Sequence, residues 1–311
     1  MTDKDYLDPI NTNKLFELKD TFLELVSIYE NKKLPKVLLF SGTKGVGKYT
    51  LVMHFINYIF DKKNYDLQNN IILKDSLFNQ NLRKNLLSNV INLQNVDYNQ
   101  IKIDSIRGLK NQIQKTNLND GNRFIILDEI ELLNQNAANA LLKIIEEPGE
   151  KNFFFLIDNQ QNKLIDTISS RCLSKKIFLN KIKKLNVINS LIKKYNIEQK
   201  LTYNKLDISP GLYLKYNNIF LEESIDENLN YYSKIEKMLS LYKKTKNKIY
   251  IKITIFLTEQ YFYDLCLEKD NEVYNLNIIK IKILKHINDF LTLNLSTSSV
   301  INIIKSQFNY E

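Results

Sequence analysis

Apolar residues change their spacing near residue 179: before it, short apolar runs alternate with stretches of helical period, and beyond it the period is almost wholly helical. Leu15, Leu18, Phe22, Leu25, Val26 and Ile28 predict an amphipathic helix over 14–31, stopped by Pro35. Residues 36–41 read as a buried strand, followed by a glycine-rich turn and a helix over about 48–61. The stretch 62–88 is rich in Asn, Lys and Asp, carries little pattern, and reads as an insertion. Strands are then predicted at 90–93, 123–128, 152–158 and 176–179. Between them lie a helix from 103, with Asp104 as its N-cap, and another over 134–146, stopped by Pro148. Strands alternating with helices predict an α/β fold with a parallel sheet for 1–178. Pro210-Gly211 punctuates the helical remainder, and 221–311 reads as a separate all-α unit.

A chain of 311 residues, 44% hydrophobic and 25% charged, has the composition of a soluble globular protein of two or three domains. Its best apolar runs, such as 153–157, are too short to cross a membrane, so no membrane partner is expected. The polar start at Met1 shows no secretory pattern, and a cytoplasmic location is the expectation. Cys172 and Cys266, with His54 and His286, are too few for a disulfide framework or a zinc site. The net charge of +9 favours an anionic partner, nucleic acid first. That excess is nearly all lysine, which beside abundant Asn and Ile reads as compositional bias; the run Lys243, Lys244, Lys246, Lys248 reads as a solvated helix end. Only Arg83, Arg107, Arg123 and Arg171 are left for tasks that need a guanidinium, and Arg107 and Arg123 read as structural pairs.

Three of seven glycines fall within six residues, in Gly42-Thr43-Lys44-Gly45-Val46-Gly47-Lys48. Set between a strand and a helix, this matches the first seven positions of a phosphate-binding loop. Glycines let backbone N–H groups converge on phosphate oxygens, the helix N-terminus adds its dipole, and Lys48 supplies charge. A chain of this composition would produce the two outer glycines and the lysine by accident about 0.02 times. The eighth position departs from the pattern. Tyr49 stands where a Ser or Thr hydroxyl would bind Mg²⁺, and Thr50 comes one residue, about 100° of helix, too late. Downstream, Asp128-Glu129 ends an apolar strand, as expected of a metal-holding acid followed by a water-orienting one.

Residues 121–172 resemble the AAA+ module of bacterial DNA polymerase III clamp-loader subunits. The resemblance rests on 121–134, on Ala137 to the Glu146-Glu147-Pro148 element, on 153–157 and on Ser170-Arg171-Cys172, with 101–107 in support. Within that family the chain is most similar to the delta-prime branch. It has no zinc cysteines between the two nucleotide motifs, Tyr49 follows the loop lysine, and Leu212 follows Ser209-Pro210-Gly211 where a sensor arginine is usual.

The resemblance implies a base (1–178), a small helical lid (179–220) and a helical collar (221–311). It implies a hetero-pentamer with motor subunits and a delta subunit, which places a sliding clamp on primed DNA. It gives Arg171 a role in trans at a neighbour's ATP, Asn159 that of a first sensor, and Gly42 to Thr50 contact with ATP or ADP. Asp128 is the expected Mg²⁺ ligand, with Thr50 a poor substitute for the missing hydroxyl, and no zinc is expected. Weak or absent ATPase follows from Tyr49 and Leu212. The rival readings are the gamma/tau-like motor acting through Lys48, Asp128 and Glu129, a non-replicative AAA+ P-loop ATPase, and a scaffold that binds no nucleotide.

Overall fold

The computed structural model describes residues 5–73, 76–93, 101–114, 121–203, 207–293 and 297–308. It divides into two compact units, Met1–Asn196 with Ser209–Leu214, and Ile197–Ile208 with Lys215–Glu311.

The first unit is built on five parallel strands: β1 (Val37–Ser41), β4 (Val90–Leu93), β5 (Arg123–Asp128), β6 (Asn152–Asp158) and β7 (Leu173–Lys176), in the order β4-β5-β6-β1-β7. A parallel sheet buries both faces, so its central strands read as unbroken apolar runs. The pleat sends alternate residues to opposite sides. Val37, Leu39, Ile125, Leu127, Phe154 and Leu156 join one core cluster with residues of α4 (Ile103–Gln114) and α5 (Gln135–Glu146). Their neighbours in sequence meet an aromatic cluster with α1 (Lys19–Glu30) and α2 (Lys48–Phe60), in which Phe155 lies 5.6 Å from Phe124 and 5.7 Å from Phe55.

The expected strand over 176–179 lies three residues earlier, at Leu173–Lys176. β7 pairs only with β1, from Leu38↔Leu173 to Ser41↔Lys176, and β1 ends there because the chain turns into the glycine loop. Ile177 adds one further bond, N–H to Ser41 O at 2.8 Å. The first helix begins at Lys19 rather than 14 and ends at Glu30, capped by Asn31 and followed by a left-handed Lys32 (φ 56°), before Pro35 is reached.

The segment 62–88 contains a short hairpin, β2 (Tyr65–Asp66) and β3 (Ile71–Ile72), and α3 (Leu77–Arg83). Its order comes from polar local bonds that leave no apolar period. Asp66 accepts from the N–H groups of Gln68 and Asn69, and Ser76 caps α3 by accepting from Asn79 N–H at 2.9 Å.

The second unit is helical. In α8 (Pro210–Glu222), Asn217 pins the chain at 198–201, accepting from Lys200 and Leu201 N–H and donating to Glu198 O at 2.7 Å. α9 (Tyr231–Thr245) and α11 (Val273–Leu293) flank α10 (Ile249–Glu268), and α12 (Thr297–Phe308) returns against α9 and α11. Lys243 to Lys248 lie exposed at the α9–α10 turn, where cations complement a helix C-terminus. No helix among the described residues is long and apolar enough to cross a membrane.

His54 is a packed core group. Fully buried on α2, it meets Tyr65 Oη through Nδ1 at 2.9 Å and Thr12 O through Nε2 at 3.0 Å. The carbonyl accepts only from an Nε2–H, so the neutral ring takes its second bond from the Tyr65 hydroxyl. Burial lowers its pKa from 6.5 to about 4. The depressed value means stability that is complete above about pH 6.5 and lost as pH falls toward 4. Urea unfolding at pH 7 and pH 5.5 should show the wild type losing about 1 kcal/mol more than His54→Gln, and equal losses would refute the assignment.

Candidate functional site

β6 lies between β1 and β5, so the turns after all three strands meet at one edge of the sheet, where open α/β folds bind ligands. After β1, the glycine loop passes through Gly45 (φ 85°) and Gly47 (φ 98°), left-handed backbone that a side chain would strain. Gly47 is the N-cap of α2 and supplies no side-chain cap, which keeps the helix N-terminus suited to an anion.

Lys48, only 3% exposed, turns back over the loop and donates to Gly42 O at 2.6 Å and Thr43 O at 2.9 Å. Burial lowers its pKa from 10.5 to about 8, and Asp128, Glu131 and Asp158 act against that shift while Lys44 adds to it. Asp128 is pushed above the usual carboxylate range, chiefly by burial, although Asn159 Nδ2 donates to it at 3.0 Å and Glu129 N–H at 2.8 Å. Glu129 holds a left-handed conformation (φ 60°), buried and ion-paired with Lys44. A non-glycine residue there is strained, and such strain gathers at functional sites.

Glu131 and Asp158 are not evident from the motifs alone. Glu131 is buried, accepts from Asn159 N–H at 3.1 Å and from Gln161 Nε2 at 3.2 Å, and has its pKa raised by burial. Asp158 accepts from Ser41 Oγ at 2.7 Å, next to the loop. Ser209 donates to Lys44 O at 2.6 Å, and Gly211 N–H donates to Gly45 O at 2.9 Å. The two glycines touch: a Cβ on Gly45 would lie 2.6 Å from Ser209 Oγ, and one on Gly211 would lie 2.8 Å from the Gly45 Cα. Ser209-Pro210-Gly211 therefore begins α8 directly on the loop, with Pro210 as its first helical residue.

The residues fit one half of a magnesium nucleotide better than the other. Left-handed glycines, the uncapped α2 and the loop lysine suit phosphate oxygens, with Lys48 exchanging its own carbonyls for them. The metal half is poorly served. Tyr49 is buried, and its hydroxyl accepts from Asn92 Nδ2 at 2.6 Å, on β4. Thr50 is also buried, and no group of three or more His, Cys, Asp or Glu side chains suited to a metal ion occurs among the described residues.

Arg171 stands apart on the surface, donating through Nε to Glu146 at 2.6 Å and through Nη1 to Thr167 O at 3.1 Å. Cys172 beside it donates to Ile168 O, and burial pushes its thiol pKa up to about 11, which makes it a packing residue. Arg123 donates to Ile113 O at 2.5 Å and Arg107 pairs with Asp104, both structural contacts within the base.

Residues 18–182 match the protein family described as DNA polymerase III, delta subunit. The DNA polymerase III subunit delta' of Buchnera aphidicola (Schizaphis graminum strain) is 30% identical over 237 residues, 74% of this chain and 67% of the relative. The gamma subunit of Buchnera aphidicola (Acyrthosiphon pisum strain) is 28% identical over 138 residues, 43% of this chain and 36% of that one. A DNA polymerase III gamma subunit-related protein of Thermotoga maritima aligns with TM-score 0.49 and 15% identity, covering 92% of this chain and 98% of that chain. The chain thus spans about two thirds of the length of the delta' relative and about a third of the gamma one. With the family match covering more than half of the chain, and a glycine loop and acidic strand end meeting at the edge of a parallel sheet, this protein belongs to the delta-prime family of DNA polymerase III clamp-loader subunits.

Proposed function

We propose that this chain serves in a clamp loader as a subunit that completes a neighbour's ATP site and contributes little hydrolysis of its own. It works with motor subunits and a delta subunit in a hetero-pentamer that loads a sliding clamp on primed DNA. Its base (1–178), lid (179–220) and collar (221–311) are the working parts. The observation that carries the reading is Tyr49: its hydroxyl is committed to Asn92, so the position that supplies a magnesium-binding hydroxyl in a hydrolytic loop supplies none. Leu212 in place of the lid arginine agrees, as does the Asp128 carboxylate, half-buried and already engaged by two N–H donors.

In this reading Gly42 to Lys48 hold the phosphates of ATP or ADP weakly, and Asn159 orders Asp128 and Glu131. Glu129 in its strained turn is held by Lys44 and does not activate water. The motor reading draws on the similarity to gamma subunits and on Lys48, Asp128 and Glu129, but it needs a metal ligand that this loop lacks. Arg171, exposed beside β7, presents a planar guanidinium to the nucleotide of the adjoining subunit. Such an arginine contributes about 10³–10⁵-fold in related phosphoryl transfers.

Purified alone, the chain should release phosphate from ATP far below the ~1 s⁻¹ ordinary for an enzyme, with or without clamp and primed DNA. Turnover at that level would establish the motor reading instead. In the assembled loader, matched for assembly by mass photometry, Arg171→Ala should lower DNA-stimulated ATPase severalfold while leaving this chain folded, and Arg171→Lys should restore little of it. Unchanged ATPase and clamp loading in Arg171→Ala would remove the role in trans and leave a scaffold.

A further inference from the structure

Glu146 and Arg171 belong to different sequence elements, Glu146-Glu147-Pro148 at the end of α5 and Ser170-Arg171-Cys172 after a short helix, α6 (Asp166–Ser169). The fold brings them together: Arg171 Nε donates to Glu146 Oε1 at 2.6 Å, with the side chains 40% and 46% exposed. An exposed pair of this kind adds little to stability. The carboxylate is also badly placed for α5 itself. Helix C-termini carry partial negative charge and favour cations, yet α5 ends on Glu146 and is capped by Glu147. The helix dipole disfavours an acid at this position and global stability gains little from it, whereas the arginine contact accounts for it.

The geometry of the guanidinium shows what that contact does. A guanidinium has five N–H donors in a rigid plane. Arg171 spends one on Glu146 and one, through Nη1, on Thr167 O. Both bonds constrain the long side chain, and three N–H groups in the same plane remain for an outside anion. A lysine at this position would have neither the Nε–H nor the fixed plane.

We propose that Glu146 is the positioning residue for Arg171: it anchors the Nε edge so that the Nη edge faces the nucleotide phosphate of a neighbouring subunit. This rests on the role in trans proposed above. Glu146 touches no reacting atom. It lowers the rotamer freedom that Arg171 would otherwise lose on meeting the phosphate, and Thr167 O supplies the second fixed point.

The test is a double-mutant cycle in the reconstituted loader, with assembly and thermal stability matched. Glu146→Ala should lower DNA-stimulated kcat severalfold at unchanged KM for ATP. Glu146→Gln, which keeps an acceptor oxygen without the charge, should retain part of the lost rate, and Glu147→Ala should behave as wild type. In an Arg171→Ala background, Glu146→Ala should have no further effect. If Arg171→Ala lowers the rate but Glu146→Ala does not, or if Glu146→Ala lowers it equally in both backgrounds, the positioning role is wrong while the role in trans survives. If Arg171→Ala itself changes nothing, both fall.

Discussion

A lysine ammonium removed from water needs compensation, and Lys48, at 3% exposure, sets the terms for everything around it. Two loop carbonyls bond it directly, and Asp128, Glu131 and Asp158 supply the opposing charge. Those acids sit on the turns after β5 and β6, and the lysine follows β1, so the compensation exists only with β6 between the other two strands. The sheet order and the buried charges are thus one constraint. Asn159, bonded to both Asp128 and Glu131, joins the two acidic turns.

In the proposed reading this charge cluster retains the loop but not its metal chemistry. Tyr49 fills the space between α2 and β4, and its hydroxyl bonds Asn92 within the base. Ser209 and Gly211 close on Gly45, so the first turn of α8 is fastened to the loop by two hydrogen bonds and a backbone contact that only glycines allow. Arg171 lies in the same unit, exposed and held by Glu146.

Much of this was legible in the sequence where one physical rule acted alone. Residues 37–40, 124–127 and 153–157 are unbroken apolar runs because both faces are covered, and the strands that contain them appear where the pattern predicts. The edge strand was misplaced because the apolar cue at Ile177 and Leu179 marks burial, while strand pairing is limited by the length of β1. The hairpin and helix within 62–88 left no period to read, being fixed by Asp66 and Ser76 side chains. In the site, the motifs mark Lys48 and Asp128 as candidates and the resemblance marks Asn159, whereas Glu131, Asp158 and Asn92 carry no motif and come beside them only in the fold. The tie between Glu146 and Arg171 spans 25 residues of chain, and no spacing rule relates them.

The central claim is that the loop keeps a phosphate cradle without a magnesium ligand. Calorimetric titration of the purified chain with ADP, once in excess Mg²⁺ and once in EDTA, tests it most directly. The account predicts weak binding of the same affinity in both, since in this reading the glycine loop and Lys48 meet the phosphates while Tyr49 offers the metal no hydroxyl. Binding tightened tenfold or more by Mg²⁺, about 1.4 kcal/mol, would contradict it.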